Sequence, residues 1–534
     1  MDDTPPPPHP QPPLRPLRRL QLALVLGAAA FCAVAVVTAP PGPGLDPDAM
    51  SYLGAAESLV GRGAYRIPTA SWAAADSTEP LVHFPPGFST LIAAPVALGM
   101  RGIQAGRLVD CVSAFATAAL VFLIVEMTAG VLAGVLAAVM LFATPAVLGV
   151  YMSVLSEPPF LVALLATLFA MLEQRRQPLG SRAYRLAVVG AGLAAGAAIM
   201  LRYAGVAVAG AAVLWPLMPR APWRRRVSDA LMAGTPAAAL VALWVYRCYR
   251  VVPRGGQAIR TFQVYGGTWR SIQAGVATLR DAVIPGFRDG MEPRGYVLLA
   301  GALCIALVAA VVAGARAALR ESRIRGEGAG IAAAALMATI YIAVLLVSRA
   351  LADPGIPFDE RLLAPVIVLL ELVVIEVIAH GWRRERAALG GPPPLAAIVG
   401  RAGRRLAGGL WLLLCIGQIR ERVSDALSDG YDLAETRWRT SDTIDWVRAN
   451  GSGYTLYTNW PAAVYFHAHR ATRDLPTALD ALTLRRFHDR LVRQHGVLVA
   501  IDERNPEMAD PDSLAAKIPL QRVAQFRDGV IWGP

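Results

Sequence analysis

The chain has 534 residues, 55% of them apolar and only 17% charged, with a mean hydropathy of +0.45. Soluble domains carry about 25% charged residues, and a single soluble core cannot bury this much apolar surface. The arithmetic excludes a soluble globular protein, a collagen-like fibre and a disordered chain, and leaves a polytopic membrane protein. The formal net charge is +12, and Lys517 is the only lysine among 51 basic residues. Basic residues in a membrane protein mark cytoplasmic loops. No basic patch is interleaved with aromatics, so no nucleic-acid partner is expected. Arginine in place of lysine, with abundant Ala and Gly, has the look of a GC-rich bacterial genome. The five cysteines, Cys32, Cys111, Cys248, Cys304 and Cys415, lie far apart in or beside apolar segments and read as packing residues.

Residues 1–19 form a Pro-rich head ending in Arg15, Arg18 and Arg19, read as a disordered cytoplasmic segment. Residues 20–39 then make a first span, read as a retained anchor rather than a cleaved signal. Further candidate spans are 108–125, 131–149, 158–172, 186–200, 204–217, 230–246, 295–314, 329–348, 362–380 and 406–419, eleven in all. The apolar segment 86–100 decides the topology. If it crosses, every Arg-rich loop falls opposite the basic N-terminus. If it is re-entrant or interfacial, the inside loops carry 21 Arg in 88 residues, against 15 in 140 for the outside loops before the tail. The positive-inside bias selects the second arrangement, and Pro85, Pro86 and Pro95 suit a broken segment.

The expected fold class is therefore an all-α polytopic membrane protein with about eleven transmembrane helices and a re-entrant or interfacial segment. Residues 20–420 form the membrane domain, with an outer loop at 40–107. Residues 421–534 form a small extracytoplasmic α/β domain. In that tail, Tyr454 to Thr458 and Gly496 to Ile501 read as strands and 481–494 as an amphipathic helix. Gln521 to Phe526 and Val530 to Trp532 read as a hairpin around Asp528-Gly529.

Five charged or titratable positions converge on the outer edge in this topology. Asp48 opens an apolar helix with Tyr52 four residues on, on the same face; the bland reading is that Asp48 or Asp46 caps that helix. His83 precedes Phe84-Pro85-Pro86-Gly87 and is by default a loop residue. Glu157 stands at the start of a span, again a position for a cap. Arg202 sits in the tight turn Arg202-Tyr203-Ala204-Gly205, where snorkelling is the bland account. Arg361 has Asp359 and Glu360 as adjacent partners, or faces an anion. Two acids and two arginines at one level suit a substrate with an anionic headgroup and a hydroxyl to activate. Glu371, by contrast, lies near mid-membrane and must face the bundle or water; it is the best residue for a rival reading as a transporter or flippase of a lipid-linked or polar substrate. That reading also calls for inverted repeats, and none is clear in the sequence. His467 and His469 would share one face of a strand, a weak metal pair best read as surface residues.

The order Pro47-Asp48-x-x-x-Tyr52, Phe84-Pro85-Pro86-Gly87, Leu155-Ser156-Glu157-Pro158 and Arg202-Tyr203-Ala204-Gly205 resembles the GT-C superfamily of integral membrane glycosyltransferases. The closest flavour is the lipid A aminoarabinose transferases and protein O-mannosyltransferases, and the resemblance in layout covers roughly residues 15 to 380. It implies a polyprenyl-phosphate sugar donor, a lipid, glycan or protein acceptor, and a membrane-lipid setting in a bacterial plasma membrane. It maps the catalytic base onto Asp48 and the second acid onto Glu157. Asp46, Tyr52, His83, Arg202, Tyr203 and Arg361 then become substrate contacts. It fixes no cofactor: a divalent metal is possible, and Glu157 could orient either the acceptor or that metal. Two departures stand out: Ala49 replaces the second acid many members carry after the base, and no lysine occurs in Phe84-Pro85-Pro86.

Overall fold

The structure is a computed structural model, and it describes residues 16–218, 221–252, 264–283, 328–352, 355, 357–388, 395–505 and 508–534, without the side chains of 383–407. In chain order the helices are α1 (Pro16–Val37), α2 (Pro47–Arg62), α3 (Gly87–Ala97), α4 (Gly102–Ala129), α5 (Val131–Ala143), α6 (Pro145–Tyr151) and α7 (Glu157–Arg176). There follow α8 (Arg182–Leu201), α9 (Val206–Leu214), α10 (Trp223–Val251), α11 (Thr268–Val283), α12 (Ala329–Leu351), α13 (Glu360–Ala388) and α14 (Leu395–Ser428). The expected span 295–314 and Cys304 lie outside the described residues.

Among the described residues, seven helices are long and apolar enough to cross a membrane, or eight if the bent pair α5–α6 counts as one span. The expectation of eleven is not confirmed at three places. The segment 131–149 breaks at Thr144 with a 70° bend, because Pro145 supplies no backbone N–H to continue α5. The segment 204–217 is built from a 3-10 turn, α9 and a second 3-10 turn around Pro216. The segment 406–419 lies within α14, which is not among the candidate spans. The 86–100 segment forms the 11-residue α3, about 16 Å at 1.5 Å per residue, too short for a hydrocarbon core of roughly 30 Å.

Small residues set the helix packing. On α1, Ala23, Gly27, Ala30 and Val34 form one buried stripe that lies against Phe115 of α4.

The tail builds a sheet of order β2-β5-β4-β6-β8-β7. Its strands are β2 (Thr69–Ala70), β4 (Thr455–Thr458), β5 (Thr472–Arg473), β6 (Gly496–Ile501), β7 (Gln521–Phe526) and β8 (Gly529–Gly533); β1 (Arg66–Ile67) and β3 (Glu79–Pro80) pair separately. The strands read from the sequence are present, with the hairpin turn at Arg527-Asp528, one residue before the expected dipeptide. β6 is buried along its whole length, as its unbroken apolar run requires of a central strand. The helix Ala481–Arg493 covers the sheet with Leu484, Phe487 and Leu491, and Asp480 caps it. The first outer loop is part of this sheet: β2 pairs in parallel with β5, Trp72 packs edge-on against Phe487, and the Arg473 guanidinium donates to the Ala74 and Ala75 carbonyls.

Candidate active site

Three chain segments are stitched together by backbone before any side chain is considered. The Gly44 amide donates to the Met152 carbonyl at 2.8 Å and its carbonyl accepts from Val154 at 3.0 Å. Leu45 exchanges the same kind of bonds with Tyr431 and Leu433. The resulting parallel bridges, Gly44 to Ser153 and Leu45 to Asp432, bring the start of α2, the approach to α7 and the start of the tail side by side. That ladder is why Glu157, over 100 residues further along the chain, faces Asp46 and Asp48.

The local capping question has a definite answer. Asp46 is the N-cap of α2, its carboxylate accepting the Asp48 amide at 3.0 Å. Asp48, in the first turn, is free of that duty. Its side chain is 39% exposed and pairs with Arg361 at 3.1 Å. The same guanidinium donates to Asp46 at 2.6 Å and to Glu157 at 3.1 Å, so one arginine spans three carboxylates. The sequence offered Asp359 and Glu360 as its partners. Instead Asp359 accepts the Leu362 amide, and Glu360 forms a two-pronged pair with Arg422 at 2.7 Å for each prong.

Glu157 is only 1% exposed and takes Arg202 at 2.5 Å as well as Arg361. It is the first residue of α7 rather than its cap; Ser156 holds the cap position. Arg202 ends α8 and turns inward, donating also to Ser156 Oγ at 3.2 Å, so its charge is satisfied by protein and not by snorkelling. A buried carboxylate loses several kcal/mol of hydration, and the two guanidiniums offset that loss. Burial pushes the Tyr52 phenol up, which keeps it a donor, and it lies 3.3 Å from Ser156 Oγ.

The other expected contacts sit at the rim. His83 is exposed and meets Phe84 edge-on, which in turn touches Tyr52. Tyr203 donates to the Val82 carbonyl at 3.2 Å and accepts from Trp244 at 3.1 Å; it fixes the first loop to α10. Gly87 is needed because a Cβ there would meet the Met200 carbonyl at 2.5 Å. The Phe84–Gly87 turn is thus seated on the end of α8.

Several residues of the site were not read from the sequence. Asp110, Ser113 and Thr117 form a polar stripe on α4, with Asp110 2% exposed and Thr117 accepting from Tyr151 at 2.9 Å. Three polar side chains at helical spacing inside a span were the available signal. Asp432 and Arg422 gave none, since only the tertiary ladder brings them in. Burial, and after it the neighbouring Asp46, push Asp432 up to about 6. Burial also raises Asp46, against the pull of Arg361.

Among the described residues no three His, Cys, Asp or Glu side chains are arranged to hold a metal ion. A divalent metal does not fit the cluster, whose acids share an arginine. The two tail histidines are not on a strand: His467 lies in the last turn of the helix Pro461–Ala468 with Nε2 2.7 Å from the Leu433 carbonyl, and His469 is its C-cap.

No family model and no curated protein matches the chain. Its fold does match solved structures, and the class they define is that of GT-C glycosyltransferases. ArnT from Cupriavidus metallidurans in the apo state aligns with a TM-score of 0.60 at 16% identity, over 95% of this chain and 97% of that one. ArnT from the same organism bound to undecaprenyl phosphate gives 0.57 at 15%, over 97% and 98%. The apo oligosaccharyltransferase of Archaeoglobus fulgidus gives 0.54 at 12%, over 91% and 69%. The chain therefore has the GT-C fold and is a multi-pass membrane protein.

Proposed function

We propose that the chain is a bacterial plasma-membrane glycosyltransferase that moves a sugar from a polyprenyl-phosphate donor to an acceptor hydroxyl on the extracytoplasmic face. The N-terminus is then cytoplasmic, and residues 421–534 form an outer cap. The observation that carries this reading is the pairing of Asp48, released from capping by Asp46, with Arg361 in one cluster with Glu157 and Arg202. The match to an ArnT structure bound to undecaprenyl phosphate supports the donor class.

The chemistry follows from these groups. Asp48 takes the proton of the acceptor hydroxyl as that oxygen bonds to the anomeric carbon. The bond from the anomeric carbon to the phosphate oxygen breaks through an oxocarbenium-like state. The electron pair leaves with the polyprenyl phosphate, whose growing charge Arg202 and Arg361 stabilise. A single displacement of this kind inverts the anomeric centre. At rest both arginines are held by carboxylates, so the incoming phosphate competes for guanidiniums already in place. Glu157 is the buried anchor that keeps the two arginines side by side.

Asp48→Asn tests the reading. Asn keeps the shape and removes the proton acceptor, so the protein should express and bind undecaprenyl phosphate while transfer falls about 10²–10⁴-fold. Asp46→Asn should be milder, because Asn caps a helix nearly as well as Asp. Full activity in both variants would reduce the first-loop acids to structural residues and remove Asp48 as the base. Reporters fused after Leu179 or Arg225 should read cytoplasmic, and one after Gly430 extracytoplasmic. The opposite result for the first two would put the whole cluster, joined by the Gly44 to Ser153 bridge, on the cytoplasmic face and overturn the outer-face reading.

A further inference from the structure

Beside the ion-pair cluster lies a cavity of about 250 Å³ between the membrane helices and the tail. Asp46, Ser153, Glu360 and Arg361 line one wall, and Tyr431 and Asp432 of the tail line the other, with Val150 and Leu155 between them. That volume is room for one sugar ring and too little for a lipid tail.

The lining chemistry narrows the occupant. Arg361 is committed to acids, and Arg422, also at the cavity, is held by both oxygens of Glu360. Asp359 and Asp432 add two more carboxylates, so acids outnumber arginines. Inside the cavity this excess of acids disfavours a second anion beyond the phosphate at Arg202 and Arg361, and an apolar group would strand charges. A neutral ligand rich in hydroxyls can donate to the carboxylates and lay its C–H face against Tyr431, Val150 and Leu155. The wall also shows construction. Asp432 is held at φ 55°, a left-handed conformation that Asp adopts more readily than most residues, and the bridge to Leu45 fixes it there. Gly149 also lines the cavity, and a Cβ there would meet the Arg422 guanidinium, Nη1 at 2.9 Å.

We propose that this cavity is the sugar subsite next to Asp48, and that Asp432, carried by the tail, helps decide which sugar it accepts. This rests on the glycosyltransferase reading. Cavity and base are coupled through Arg361, whose Nη1 meets Asp46 at the cavity wall while Nη2 meets Asp48. The sugar can come from the donor or from a glycan acceptor, since both present the same hydroxyls.

The test uses the full chain in detergent, with methyl glycosides of mannose, galactose and arabinose as probes followed by saturation-transfer NMR. Undecaprenyl phosphate binding is measured separately by thermal shift. At least one glycoside should bind the wild type. Gly149→Leu, which adds bulk to the cavity lining, should weaken it by about tenfold or more. Asp432→Asn, which the φ 55° backbone tolerates, should change the order of preference among the three. Both variants should bind undecaprenyl phosphate like the wild type. Absence of glycoside binding, or binding and preference unaltered in both variants, overturns the subsite. If the glycosides bind through the cavity but undecaprenyl phosphate does not bind the wild type, the subsite stands and the donor reading falls. Displacement of the glycoside by undecaprenyl-phosphate-linked mannose, but not by undecaprenyl phosphate alone, assigns the cavity to the donor sugar. Simultaneous binding assigns it to the acceptor.

Discussion

At the outer edge of the bundle, Asp46, Asp48 and Glu157 share Arg361, and Glu157 takes Arg202 as well. Deeper in the same bundle, Glu371 takes the Thr144 hydroxyl at 2.5 Å and Glu376 the Thr128 hydroxyl at 2.7 Å. Glu371 lies eleven residues into α13, about 16 Å from its start. Both regions contain acids in apolar surroundings; the outer one surrounds them with guanidiniums, whereas Glu371 takes a threonine hydroxyl. An acid paired with arginine stays available for proton and phosphate chemistry. An acid tied to a threonine hydroxyl holds helices together, and Thr144 is the residue at which α5 breaks from α6. On the proposed function, the first kind of acid serves the chemistry and the second the packing.

The contrast can be broken most directly at Arg361. Arg361→Ala should reduce transfer about 10²–10³-fold, the usual effect of losing one donor to a developing oxyanion. It should also lower the thermal midpoint, since three carboxylates lose a shared partner. Near-normal transfer in a folded variant would make the outer cluster a clasp, no different in kind from the inner pairs. Arg202→Ala should raise the donor KM by the equivalent of about 1.5–3 kcal/mol with a smaller effect on folding. Donor kinetics equal to wild type would remove Arg202 from the phosphate site.

A subtler readout is the pH dependence of stability at the cavity. Asp432 is raised to about 6 by burial and the adjacent Asp46, with Arg361 opposing and Glu435 adding to the rise. A carboxyl raised in the folded state favours folding when protonated. Its contribution is therefore complete below about 4 and disappears as pH climbs through about 6. The wild-type thermal midpoint should fall across that window relative to Asp432→Asn. Parallel pH curves for the two proteins would place Asp432 in water. The smallest change is expected at Glu371→Gln. The amide still accepts the Thr144 hydroxyl, so stability should move by about 1 kcal/mol or less and transfer should persist. Loss of transfer there would erase the distinction between the two regions.

That 86–100 is a short segment, read as re-entrant or interfacial, was legible because loop arginines and three prolines argue against a full span. The outer cluster was legible because charged residues at span ends have few places to go. The choice between Asp46 and Asp48 as cap was not, since two acids two residues apart at a helix start have equal local claims. Arg361 was read with its sequence neighbours, and its true partners arrive through the ladder joining Gly44, Leu45, Ser153 and Asp432, which leaves no periodic trace. The span count is unconfirmed where an apolar run contains a proline that bends or shortens the helix, as at Pro145 and Pro216.

The pairing of β2 with β5 has a bearing on assembly. The tail's sheet takes its edge strand from residues 69 and 70, about four hundred positions earlier in the chain. The first loop must therefore already be on the tail's side of the membrane, and in place, before the last hundred residues can close their sheet. Expressed alone, residues 421–534 would present β5 as an unpaired edge, the kind of surface on which strands from separate molecules add to one another. Completion of the cap thus reports that the first loop, with Asp46 and Asp48 just upstream of β2, has been delivered to the same face.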